Sequence, residues 1–259
     1  MKRFVKIYTY WLLGILLFTG CDDYLKEDSG DLLIPGKVEE FLPMLYREGF
    51  PRNFNDEVAW LYLMTDDVEM GQLELDPEDE ANDTRDKNSS DAFNVGEGEE
   101  PYKWEREIKS YADNFWERRY GNILACNLVI DALPEMEYVE ADSGNYNFLA
   151  AQAYALRAYN YWCLVNSYAL PWSKENLDKP GVIIRMEPQI NISPRGRSSI
   201  REVYDLINED IEKAEKYINI ATFDGNIHRL SEPAILLLAS RIALFQENWD
   251  EVIRTGKLF

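Results

Sequence analysis

A helical period that recurs through the second half of the chain, and stops each time at a proline or a capping residue, most constrains what it can fold into. Trp116, Tyr120, Ile123, Asn127 and Ile130 follow one face, with Arg118, Arg119 and Asn122 off it, and Pro134 stops the run. A second helix is predicted over 147–168, rich in Ala and aromatic residues and halted by Pro171. Ser199-Ile200-Arg201-Glu202 reads as a capping box, Ser and Glu exchanging bonds with the free amides of the first turn. Behind it Ile200, Val203, Tyr204, Ile207, Ile211, Ala214 and Ile218 draw one apolar stripe. Ser231-Glu232-Pro233 opens a fourth helix in the same manner, running to about Gln246. Between the second and third helices, residues 172–197 carry Pro180-Gly181, Pro188 and Pro194 and have room for at most one short strand, at Val182-Ile183-Ile184.

No β-hairpin or βαβ rhythm is present, so the expected class is all-α: an array of tetratricopeptide-like helical pairs with long irregular loops. Ala239, Ser240 and Ala243 are small enough to admit a neighbouring helix, and Trp249 opens a fifth element where an aromatic commonly anchors such a pair.

The first half is organised differently. Lys2, Arg3 and Lys6 form a basic start, an apolar run over 8–18 follows, and Thr19-Gly20 precede Cys21. That is a cleaved signal, 1–20, too short to span a bilayer. Leu17-Phe18-Thr19-Gly20-Cys21 looks like a lipoprotein box, the alternative being an ordinary secretory signal beside an incidental cysteine. An acylated Cys21 would tether a domain to a membrane leaflet through its lipid. Residues 21–36 then read as an acidic tether, and 37–259 as the helical domain, opening with a short helix on Val38, Phe41, Leu42 and Leu45. Within that domain 66–100 is a charged loop, its acids opposed only by Arg85 and Lys87.

Composition excludes several functions. A formal charge of −20 leaves little to replace the counterions of a nucleic-acid backbone, so no nucleic acid is expected as partner. Three Cys and one His put disulfide scaffolds, Cys/His zinc patterns and the usual triads out of reach, and no cofactor is expected. Carboxylate pairs such as Asp66-Asp67 and Glu99-Glu100 arise by chance among 47 acids, so the chain is not read as an enzyme. The acidic loop lacks the EF-hand order and reads as a solvated charge run rather than a calcium site.

Several segments together resemble the N-terminal half of the SusD/RagB family of outer-membrane nutrient-binding lipoproteins of Bacteroidetes. They are CDDYL at 21–25, NFWERRYGNILACNLVID at 114–131, AAQAYALRAYNYWCLVNSYALPW at 150–172, SSIREVYDLINEDIEKA at 198–214 and HRLSEPAILLLASRIALF at 228–245. The resemblance implies a SusD-like α-α superhelix, incomplete at its C-terminus. It also implies a protein displayed on the cell exterior, lipid-anchored in the outer membrane, that captures oligosaccharide or peptide nutrients for a SusC-like TonB-dependent transporter. The alternatives are a helical protein-interaction scaffold and a truncated remnant without ligand binding.

A sugar site needs flat apolar faces for the C–H side of a ring and polar groups for its hydroxyls. Trp60 and Tyr62 before the acidic loop, and Tyr102 and Trp104 after it, are the candidate ligand-binding residues, since loop closure would bring both pairs to one rim. The opposing reading makes Trp60 and Trp104 core or helix-start anchors. Trp116, Tyr120, Tyr154, Tyr161 and Trp162 are assigned to packing, and Arg157 to a structural ion pair. Cys126 and Cys163 are read as buried thiols, a bridge between them being left open.

Overall fold

The stripes become helices packed around one long central rod. The computed structural model describes residues 36–51, 102–105, 115–136, 138–189, 193–223 and 225–258. Among them are α1 (Val38–Glu48), α2 (Phe115–Ala132), α3 (Ser143–Tyr168), α4 (Ile200–Ile218), α5 (Glu232–Phe245) and α6 (Trp249–Gly256), with short 3-10 turns at Leu133–Glu135 and Glu140–Asp142. These residues contain no β-strand, only an isolated antiparallel bridge between Pro180 and Ser199. The all-α expectation holds, and the place kept for a strand at Val182-Ile183-Ile184 is extended chain without a partner strand.

The central rod is α3, which packs on α2 along one side and on α4 along another. Its small residues Ala150, Ala151, Ala153, Ala155 and Ala158 are fully buried and let both neighbours approach closely. It begins four residues before the predicted start. The polar stretch Ser143-Gly144-Asn145 is its first turn, where Gly144 accepts a bond from the Thr222 amide at 3.1 Å. A Cβ on Gly144 would stand 2.0 Å from the Thr222 hydroxyl, so this turn admits only glycine. Further along, Gln152 is fully buried and acts as a substitute peptide group. Its amide donates to the Leu230 carbonyl at 2.7 Å and its oxygen accepts the Leu230 N–H at 2.9 Å, tying the chain before α5 to α3.

Local sequence signals set the ends of the other helices. At α4 the capping box is formed: the Ser199 hydroxyl accepts from Glu202 N–H at 3.2 Å, and the Glu202 carboxylate accepts from Ser199 N–H at 2.7 Å. Ser231 caps α5 through Ala234 N–H at 3.4 Å, and Asn248 caps α6 through Glu251 N–H at 3.3 Å. Val38, Phe41 and Leu45 bury α1 against α2 and α3, with Pro43 inside the helix on its exposed side.

Two expectations are corrected. Arg119, placed off the buried face of α2, is 1% exposed. Because α1 and α3 both pack on α2, this helix is enclosed on more than one side. The Arg119 guanidinium lies over the Phe115 and Tyr159 rings at 4.7 and 5.4 Å and donates to Asn160 Oδ1 at 3.1 Å. Trp249, expected to anchor the pair formed by α5 and α6, is 59% exposed; the buried residue of α6 is Thr255, whose hydroxyl donates to the Glu251 carbonyl at 2.8 Å.

Candidate functional site

Of the four candidate aromatic residues, Trp60 and Tyr62 lie outside the described residues, as do Cys21, the tether up to residue 35 and the acidic loop. Tyr102 is half-buried. Trp104 is 67% exposed, with a backbone φ of 53°. A non-glycine residue in the left-handed region costs about 1–2 kcal/mol, and here that conformation presents a large aromatic side chain to solvent. For Trp104 the core-anchor reading is therefore set aside.

A second aromatic surface lies where α2 faces the extended segment 183–189. Trp116 and Tyr120, one turn apart on α2, are half-buried with ring centroids 5.0 Å apart, and both line a single groove.

 The groove has a volume of about 610 Å³. That lies within the roughly 300–1,000 Å³ of small-molecule sites. Arg185, Glu187 and Gln189 supply polar groups along its other wall. The Trp116 ring meets Tyr168 edge-on at 4.9 Å, and the Arg197 guanidinium sits 5.6 Å from its centroid. Both aromatic residues had been assigned to packing; they do pack against the core, and they also line this groove.

The wall 183–187 has few backbone bonds of its own and is held from behind by side chains of α2 and α3. The Tyr120 hydroxyl donates to the Ile183 carbonyl at 2.7 Å. The Tyr161 hydroxyl donates to the Arg185 carbonyl and accepts the Arg185 N–H, each at 2.8 Å. The Asn127 amide donates to the carbonyls of Arg185 and Glu187 at 3.0 and 3.3 Å. Burial pushes the Tyr120 hydroxyl up to about 12 and raises that of Tyr161 as well, so both remain protonated donors.

Behind Asn127 stands the expected ion pair. Arg157 grips Asp210 through two bonds of 2.8 and 2.7 Å, and its third nitrogen donates to Asn127 Oδ1 at 2.9 Å. Both charged side chains are almost fully enclosed. The two hydrogen bonds and the Asp210 charge hold the Arg157 guanidinium protonated against the cost of its burial. In the groove, one oxygen of Glu187 pairs with Arg195, which holds that carboxyl below the ordinary glutamate range. Its other oxygen, Oε2, is buried and has no hydrogen-bond partner.

A larger groove of about 780 Å³ lies between α4 and the α5–α6 hairpin. Three of its charged groups bond one another: Arg254 donates to both oxygens of Glu215 at 2.8 Å and to Glu251 at 2.8 and 2.5 Å. Among the described residues no group of three or more His, Cys, Asp or Glu side chains is arranged to hold a metal ion.

Comparison with known proteins places this architecture. The SusD-like family pattern, described as starch-binding and associating with the outer membrane, matches residues 50–244. The chain belongs to the SusD-like family. A SusD-like protein of Formosa agariphila is 31% identical over 138 residues, which are 52% of this chain and 24% of that protein. A SusD superfamily structure from Bacteroides fragilis superposes with a TM-score of 0.61 at 20% identity, covering 85% of this chain and 48% of the other. A laminarin-binding SusD-like protein superposes at 0.57 and 19% identity, covering 84% and 41%. The chain thus spans less than half the length of these relatives.

Within this SusD-like helical frame, sequence reasoning missed the groove wall. Arg185, Glu187 and Gln189 sit in a proline-rich stretch whose period is neither helical nor extended, so no local signal marked them. The available clue was the pair Asn127 and Tyr161, polar groups on otherwise apolar helical faces that required partners. Cys126 is a fully buried free thiol, so the bridge to Cys163 is not formed.

Proposed function

We propose that this chain belongs to a cell-surface carbohydrate-binding lipoprotein, anchored through Cys21, that captures a neutral glycan and passes it to a TonB-dependent transporter of the outer membrane. The match of the starch-binding family pattern over residues 50–244 carries this reading. The laminarin named for one structural relative supports a glucan as ligand. Exposed Trp104 supplies an aromatic face of the kind a pyranose ring stacks on, for which an interaction scaffold has no need. A charge of −20 disfavours anionic polysaccharides at low ionic strength. In this reading 1–20 is the signal, 21–36 the tether and 37–259 the binding domain, and the protein makes and breaks no bond in its ligand.

Affinity electrophoresis of the full chain through gels containing soluble starch or laminarin tests the capture step. Retardation by either glucan, reduced in Trp104→Ala, is expected; unchanged mobility in both gels would overturn it. Incorporation of labelled palmitate in cells, lost in Cys21→Ser, tests the anchor.

A further inference from the structure

We propose that the groove between α2 and segment 183–189 is a saccharide subsite separate from Trp104, taking a short stretch of neutral glycan between Trp116 and Tyr120 on one side and Glu187 on the other. The inference rests on the carbohydrate-binding reading and deepens it.

Three observations converge. First, the aromatic pair is half-buried and lines an open cleft of about 610 Å³, so its rings are fixed by the core while remaining in contact with the groove. Second, Glu187 is oriented through one oxygen by Arg195, whereas buried Oε2 has no partner. An acceptor in that condition is costly unless a donor arrives, and a sugar hydroxyl is such a donor. Third, the wall bearing Glu187 is pinned through its backbone by Tyr120, Tyr161 and Asn127. Ligand binding therefore orders little that is not already ordered. A carboxylate in this position selects hydroxyl donors and repels acidic sugars, giving the groove a preference for neutral units.

Gly121 offers a clean obstruction. It lines the groove, and a Cβ built on it meets nothing within 4 Å, so a larger side chain can be introduced at the groove without a clash at its Cβ. Titration calorimetry of the full chain with laminarihexaose and maltohexaose would compare the parent with Glu187→Gln, Gly121→Trp and Trp104→Ala, each checked for native thermal unfolding. Expected is a loss of about tenfold in affinity for Glu187→Gln, the scale of one charge-assisted hydrogen bond, and a larger loss for Gly121→Trp. Parental affinity in both groove variants, with weakened binding in Trp104→Ala, would overturn the subsite and leave the carbohydrate reading standing. No binding of either oligosaccharide by the parent would overturn both.

Discussion

Helix α3 and segment 183–187 lie against one another, yet they are held by different means. Helix α3 satisfies its backbone internally and buries an alanine-rich surface between two neighbours, so its position follows from apolar contact along its length. Segment 183–187 borrows its hydrogen bonds from Tyr120, Asn127 and Tyr161. The helix is specified by its own residues, and the segment by residues of other elements. The same borrowed bonds give the groove a rigid wall without a β-sheet.

The largest test of this contrast is Asp210→Ala, which strands the buried Arg157 charge and should cost about 3–5 kcal/mol in urea unfolding. The double variant Asp210→Ala with Arg157→Met should recover part of that loss, because the uncompensated charge is gone; equal losses would show that the pair acts only by filling space. Tyr161→Phe separates the two regions more finely. It removes one hydroxyl that serves both the N–H and the carbonyl of Arg185, at a cost of about 1–2 kcal/mol. Amide exchange at Arg185 should accelerate while exchange in the middle of α3 stays slow; uniform acceleration would mean the two regions open together.

The smallest effect concerns a purely local signal. Hydrogen bonds from Ser199 hold Glu202 below its ordinary value of 4.5. A depressed folded value stabilises the charged form, so this contribution is complete above about pH 4.5 and is lost as pH falls through the lower folded value. Glu202→Gln should flatten that part of the acid-unfolding profile, and an unchanged profile would show that the capping carboxylate adds nothing.

Much of the fold was legible because helix signals are short-range. The capping box at Ser199 and Glu202, the Ser231 cap and the stripe from Ile200 to Ile218 all operate within a few residues, and each lies where the sequence places it. The start of α3 was misplaced because Ser143, Gly144 and Asn145 have the composition of a loop; only the approach of Thr222 explains the glycine. Of the candidate aromatic site, Trp104 is seen exposed and Tyr102 half-buried, while Trp60 and Tyr62 fall outside the described residues.

By itself the sequence determined the helical class, the helix ends and the need of Arg157 for a charged partner, since period, caps and buried charge obey rules that act locally or on one residue at a time. Tertiary structure decided which partner answered: Asp210, 53 residues away, for Arg157, and the carbonyls of Arg185 and Glu187, 58 and 60 residues away, for Asn127. It likewise enclosed Arg119 and left Trp249 in solvent. Such pairings depend on which helix faces which, and that is fixed only when the apolar surfaces of the whole domain are buried together.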